Sequence, residues 1–399
     1  MLHADLLEQA RSFEPQITAL RRAIHAEPEL GLHTPLTSAK VRSALAHLPL
    51  TWREGPSTTG LVATLKGGAG EGRRVLLRGD MDALEMPEET GLEFASQFAG
   101  RMHACGHDAH TAMLAGAAEL LCARAASLAG DVQFMFQPGE EGHHGARFMI
   151  EDGLLEPRAD AAFALHIMPN SPHGLVAGRA GTLLASADRF EITVTGDGGH
   201  ASMPHDTLDP VPVACEIVSA IQAMVTRRFS VADPVVATVS KITAGTAYNV
   251  IPDSAHLLGT LRTLSPGARA RLHAALPTLV EHIAAAHGMT ATTAIIPGFP
   301  VTICDARAVD LGAAVAEAIA GAGTFQRLAH PIMGAEDFSY VLEVMPGAMF
   351  FLGVAPEGAD WKSCCSIHST RMMLDESVMP LGSAMLAGCA ERFLAHGFA

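Results

Sequence analysis

Apolar residues in the first third of the chain recur at two spacings. Leu7, Ala10, Phe13, Ile17, Leu20 and Ile24 fall three or four apart between Leu6 and His25, the spacing of one helical face, and Pro15 is placed to break or restart that helix. Val75–Leu77, Val132–Phe136 and Ala161–Ile167 are short apolar runs that read as buried strands. The first ends in Arg78-Gly79-Asp80-Met81-Asp82 and the second in Gln137-Pro138-Gly139. Helical stretches lie between them, most clearly Thr111 to Ala129. Strands alternating with helices predict an α/β layer on a largely parallel sheet.

The pattern changes near Ala185. Arg189–Thr195 alternates like a half-exposed strand. A helix over Pro210–Arg227 follows, then strands over Val235–Ile242 and Ser254–Thr263, a helix over Pro266–His287 and a strand over Thr290–Ile296. That is the order of a ferredoxin-like α+β sandwich. Gly178/Gly181 and Pro297-Gly298 bracket it, and α/β character resumes afterwards. The expected organisation is a large α/β domain from residues 1–182 and 297–399, with residues 183–296 inserted as a smaller domain.

Bulk properties narrow the picture. At 399 residues the chain is long for a single core, and its hydrophobic fraction of 49% suits a globular protein. With a net charge of −15 and no basic face, no nucleic-acid partner is expected. No apolar stretch approaches a membrane span, and Met1-Leu2-His3-Ala4-Asp5 lacks the order of a signal peptide, so a cytoplasmic address without membrane attachment is expected. The seven cysteines are odd in number and scattered, which argues against a disulfide framework. Cys122, Cys215, Cys304 and Cys389 are expected to be small core residues. Adjacent cysteines rarely share a disulfide, and the pair Cys364-Cys365 is given no role.

The chemistry concentrates at His103-Ala104-Cys105-Gly106-His107-Asp108-Ala109-His110, where a loop runs into a helix. Glu140-Glu141 and two isolated histidines, His166 and His368, complete a thiolate, imidazole and carboxylate set suited to a transition metal. Asp80, Glu140, Glu141 and His166 all stand at or just after strand ends, where sites form in such sheets. Five donors are too many for one tetrahedral zinc and suit two metals with one bridging ligand. One of the adjacent acids can bind metal while the other faces water and substrate as a general base. Asp80 and Asp82 are placed to orient a ligand imidazole. His103, His110, His143 and His144 read as packing, surface or supporting histidines.

The blocks Leu77 to Leu84, Met102 to His110, Gln137 to Gly142, Gly198-Gly199-His200-Ala201-Ser202-Met203-Pro204-His205, Ala244 to Pro252 and Met333 to Phe338 resemble, in order, those of the aminoacylase and hippurate hydrolase branch of the di-metal aminoacylase/carboxypeptidase family. Plant auxin-amino-acid conjugate hydrolases belong to the same branch. The resemblance spans nearly the whole chain. It implies a zinc-peptidase-like catalytic domain with an inserted lid that often mediates dimerisation, hence a homodimer or homotetramer. It puts metal ligands on Cys105, His107, Glu141, His166 and His368, and the base on Glu140. It makes His200 a transition-state stabiliser, in relatives sometimes supplied to a partner subunit. Asn249 and Arg262 would hold the substrate's polar and carboxylate groups. The implied cofactor is two divalent ions, zinc or manganese foremost, with cobalt or nickel as further options. Two departures lie beside the site: His143-His144 replaces a glycine-rich run, and Ile367-His368-Ser369-Thr370-Arg371 lacks the family's Ser-Pro and aromatic residues.

The leading expectation is therefore an amidohydrolase that cleaves N-acyl or N-aroyl amino acids. Three alternatives stand beside it. They are a dipeptidase or carboxypeptidase on the same scaffold, a cysteine hydrolase with Cys105 as nucleophile, and a catalytically dead, metal-dependent binding protein.

Overall fold

The computed structural model describes residues 5–363 and 365–398; the start Met1 to Ala4 and Cys364 of the vicinal pair lie outside the described residues. Contacts divide the chain into two units. One comprises Met1–Leu183, Ile303–His330 and Asp337–Ala399; the other comprises Leu184–Thr302 and Pro331–Glu336. The short segment Pro331–Glu336, which returns to the second unit, carries no local signal that sets it apart from its neighbours.

The first unit is built on an eight-stranded mixed sheet. Its strand order is Thr51–Glu54, Leu61–Lys66, Gly130–Gln137, Arg73–Asp80, Ala161–Met168, Gly347–Gly353, Val176–Gly178 and Phe325–Arg327. The four central strands, Gly130–Gln137 to Gly347–Gly353, are mutually parallel. They are almost wholly buried, which is why they read as continuous apolar runs rather than alternating ones. The amino-terminal helical pattern resolves into Leu6–Ser12 and Glu14–Ala26, with Pro15 in the first turn of the second helix.

The helix expected over Thr111–Ala129 runs over His107–Ala123 and is buried along nearly its whole length. Small residues let its neighbours close in: a Cβ at Gly116 would lie 2.4 Å from Ser383 Oγ and 2.6 Å from Ile17 Cδ1. The alanine pattern continues beyond Ala123, but a 3-10 turn at Ala125–Ser127 ends the helix and leads the chain into the strand at Gly130. No helix among the described residues is long and apolar enough to cross a membrane.

The second unit carries a four-stranded antiparallel sheet in the order Val235–Ala244, Ser254–Thr263, Ala187–Thr195, Thr290–Phe299. The helices Pro210–Arg228 and Pro266–Ala286 bury their apolar faces with it around Phe190, Ile217, Leu257, Leu272 and Val280. This is the ferredoxin-like arrangement that the alternation predicted. The last strand continues past Pro297-Gly298, because a register shift between Ile296 and Phe299 absorbs the irregular pair as a bulge. Cys215, expected in the core, is exposed. It falls between the inward-facing Ala214 and Ile217 on its helix.

Candidate metal centre

Three neighbouring parallel strands deliver side chains to one edge of the first unit's sheet. Asp80 closes its strand, Glu140 and Glu141 follow the strand ending at Gln137, and His166 lies near the end of Ala161–Met168. Cys105 and His107 flank Gly106, which caps the following helix with left-handed backbone at φ 88°. A Cβ there would lie 2.4 Å from Ile167 Cγ1, so only glycine fits this turn. His107 is the first residue of the helix.

The five expected ligands come together in two overlapping groups. Cys105, His107 and His166 form one and Cys105, Glu141 and His368 the other, with donor atoms in each within 4.8 Å of one another. Cys105 belongs to both. Its Sγ lies 3.3 Å from His166 Nε2, and His368 Nε2 lies 3.3 Å from Glu141 Oε1. Glu140 joins His107 and Glu141 in a third group. His107 Nε2 is buried without a hydrogen bond, 3.5 Å from Asp80 Oδ2 and 4.0 Å from Glu141 Oε1. A buried polar atom left in that state is costly unless something is meant to sit beside it. Soft thiolate, imidazole and carboxylate donors fit a divalent transition metal.

The surroundings fix these groups. Asp82 accepts the backbone N–H of Glu140 at 2.9 Å and of Glu141 at 3.0 Å, one on each carboxylate oxygen. Its peptide carbonyl takes the Nδ1–H of His107 at 2.8 Å, leaving Nε2 free to ligate. Asp82 thus orients His107 through its backbone, while its carboxylate positions the acid pair. Asp80 takes the Nδ1–H of His110 at 2.6 Å and a guanidinium N–H of Arg78 at 2.6 Å. His110 Nε2 accepts from the Ile167 N–H at 2.8 Å, so both its nitrogens are engaged and it is a supporting residue. His144 bonds the Tyr340 hydroxyl at 2.9 Å, His143 is exposed and His103 is buried.

Sequence reasoning missed a buried hub behind the acids. Arg78, given no role by the sequence, is 2% exposed. It also donates to Gln137 Oε1 at 2.8 Å and to Asp337 Oδ1 at 3.0 Å. Asp337 accepts the Ala146 N–H at the start of the helix Gly145–Glu151, and its own N–H reaches Glu140 Oε1 at 3.4 Å. The signal available was an arginine inside an otherwise apolar strand, since such a charge stays buried only when paired.

The electrostatics suit a cation. Burial pushes the Cys105 thiol up despite the help of His107. Burial opposes a proton on His107, yet Asp80 and Cys105 hold that imidazole well above its ordinary value. Cys105 and Glu141 raise His368 to about 10. His166 is held well below its usual range by burial and by His110, as a neutral ligand requires. The same negative field would favour a bound divalent cation. A nucleophilic cysteine needs the opposite, a depressed thiol pKa, and Cys105 does not show it.

The remaining expected residues lie in the second unit. His200 is exposed on a two-residue strand that pairs with Val250, and its Nδ1 accepts from the Ser202 hydroxyl at 2.8 Å. Asn249 is exposed next to that ladder, its carbonyl taking the Ala201 N–H at 3.1 Å. His200 and Asn249 are thus neighbours. Arg262, half-buried, stands apart on the strand Ser254–Thr263 opposite Val236. Burial lowers its guanidinium pKa against the pull of Asp188. That carboxylate is engaged by Arg269 and His273, at 2.6 and 2.8 Å.

Residues 76–392 match the peptidase family M20/M25/M40. IAA-amino acid hydrolase ILR1-like 2 of Arabidopsis thaliana is 38% identical, with 98% of this chain and 89% of that protein covered. Thermostable carboxypeptidase 1 of Saccharolobus solfataricus is 36% identical, with 98% and 99% covered. N-acetylcysteine deacetylase of Bacillus subtilis is 37% identical, with 95% and 97% covered. Among solved structures, the Bacillus subtilis YXEP protein, described as a dinuclear metal binding peptidase from the M20 family, superposes with a TM-score of 0.82 at 33% identity, with 96% and 99% covered.

Proposed function

The chain belongs to peptidase family M20/M25/M40, and from that premise we propose a di-metal amidohydrolase that converts N-acyl or N-aroyl amino acids to a carboxylic acid and a free amino acid. The observation that carries the reading is the pair of donor groups sharing Cys105, with Glu140 beside them. Cys105, His107 and His166 would hold one divalent ion and Cys105, Glu141 and His368 the other, zinc or manganese foremost. When bound, the ions supply Lewis acidity and lower the pKa of water toward neutrality.

The chain's own groups do the rest. Glu140, held at Oε1 by the Asp337 N–H and with Oε2 3.9 Å from His107 Nε2, takes a proton from the attacking water. The C–O bond forms, the amide C–N bond breaks, and the same carboxyl returns the proton to the leaving amine. His200 stabilises the developing oxyanion, from its own or a partner's subunit. Asn249 holds a polar group of the substrate, and Arg262 grips its α-carboxylate with a planar fork.

Exposed apolar residues of the second unit, among them Val236, Ile242, Val250 and Ile296, support assembly into a homodimer or homotetramer through that unit. A thiolate ligand supports a reducing, cytoplasmic compartment. The carboxypeptidase reading keeps support from the Saccharolobus relative. A panel of acetyl-, benzoyl- and indoleacetyl-amino acids with dipeptides, each with Zn²⁺, Mn²⁺, Co²⁺ and Ni²⁺, separates the two. Turnover of dipeptides alone would replace the first reading, and no turnover of any substrate would leave the binding-protein alternative.

A further inference from the structure

We infer that Glu89 is a positioning residue for His368, at the outer end of a chain of contacts that starts on the buried face of the helix Glu14–Ala26. The inference rests on the proposed role of His368 as a metal ligand. His368 is exposed and lies outside helices and strands, with left-handed backbone at φ 63°. A residue with a Cβ keeps that conformation only where its surroundings fix it. One fixing bond is its own N–H to the Ala104 carbonyl at 2.8 Å, beside Cys105. The other contacts come two residues later. The Glu89 N–H donates to the Thr370 carbonyl at 2.7 Å, and the Thr370 hydroxyl donates to Glu89 Oε2 at 2.9 Å.

Glu89 is held in turn by its neighbour. Glu88 has a nearly buried side chain and accepts from His25 Nε2–H at 3.1 Å, from the Ser96 N–H at 2.7 Å and from the Thr90 hydroxyl. His25 Nδ1–H donates to Asp108 Oδ2 at 2.8 Å, which also takes the Arg21 Nε–H at 2.7 Å. Arg21 and Arg22 reach Glu376 at 2.9 and 2.6 Å. Three cations of one helix, Arg21, Arg22 and His25, therefore face three carboxylates, Asp108, Glu88 and Glu376. Each carboxylate belongs to a different segment. Asp108 follows His107, Glu88 precedes Glu89, and Glu376 lies beyond His368. The His368 segment is thus pinned at Thr370 and again at Glu376, and the same helix pins the turn that carries His107. A ligand must be held within a fraction of an ångström to bind well, and loss of such outer contacts typically costs ~10–100-fold in metal affinity.

The exposure of Glu89 makes it testable without disturbing the core. Full-length Mn²⁺-loaded protein is dialysed against graded chelator, and metal per chain is measured for wild type, Glu89→Ala, Thr370→Val, the double variant and Glu93→Ala from the same loop. The expected result is that the more weakly held ion leaves at about tenfold lower chelator in both single variants. The double variant should be no worse than either single, because both remove the same bond, and Glu93→Ala should match wild type. Unchanged release in Glu89→Ala and Thr370→Val would overturn the inference. So would a shift accompanied by an equal fall in the melting temperature of the metal-free protein, which marks a merely structural contact. A His368→Ala variant that releases metal as wild type does would instead remove the ligand reading, and the inference with it.

Discussion

His25 offers the most quantitative test of the buried network. Its side chain is fully buried, with Asp108 on one ring nitrogen and Glu88 on the other. Burial alone would lower its pKa, but the two carboxylates prevail and raise it to about 9. The ordinary histidine value is about 6.5, and a rise to about 9, at roughly 1.4 kcal/mol per pH unit, is worth about 3.5 kcal/mol in full, of which about 3 kcal/mol falls between pH 6 and pH 10. The folded state binds this proton more tightly than the unfolded chain does. The contribution is therefore complete below about pH 6.5 and is lost as pH rises through about 9. His25→Gln removes the titration while keeping a polar side chain. Urea unfolding of wild type and variant at pH 6, 7.5 and 10, at fixed salt and metal, isolates the term because other titrating groups are common to both. The stability difference should shrink by about 3 kcal/mol between pH 6 and pH 10. A difference that stays constant over this range would refute the doubly paired, protonated imidazole.

Three further outcomes follow from the site. Cys105→Ala removes the donor common to both groups, so metal and activity should be lost together; full metal occupancy by elemental analysis would contradict the assignment. Glu140→Gln should keep its metal and lose ~10²-fold or more in kcat, the scale of general-base catalysis, and a near-wild-type kcat would exclude that role. Arg262→Ala should raise KM for N-acyl amino acids ~10–100-fold, the range of a charged hydrogen bond, while sparing their amides. Equal effects on acids and amides would mean that Arg262 does not read the carboxylate.

What the sequence disclosed and what it concealed divide along physical lines. Buried parallel strands such as Arg73–Asp80 and the alternating Ala187–Thr195 announce themselves through local period, as does the ferredoxin-like order of the second unit. The candidate donors were legible because Cys105 and His107 are close in sequence, the acids follow a recognisable strand end and His166 lies near another. The supports were not. Arg78 with Asp337, His25 with Asp108 and Glu88, and Glu89 with Thr370 join residues far apart in the chain. A buried ion pair leaves no periodic trace, only a charge out of place in an apolar context. Element ends were blurred for a related reason. The helix starts at His107 because Gly106 turns the chain there, and no propensity along the alanine run shows that.

The central claim is that the donor set of Cys105, His107, Glu141, His166 and His368 holds two ions that the reaction requires. Its most direct test strips the full-length protein with chelator, returns Zn²⁺ or Mn²⁺ stepwise, and follows hydrolysis of an N-acyl amino acid against metal bound per chain. The expected result is negligible turnover without metal and full recovery on approach to two equivalents. Undiminished hydrolysis by the metal-free chain would contradict it.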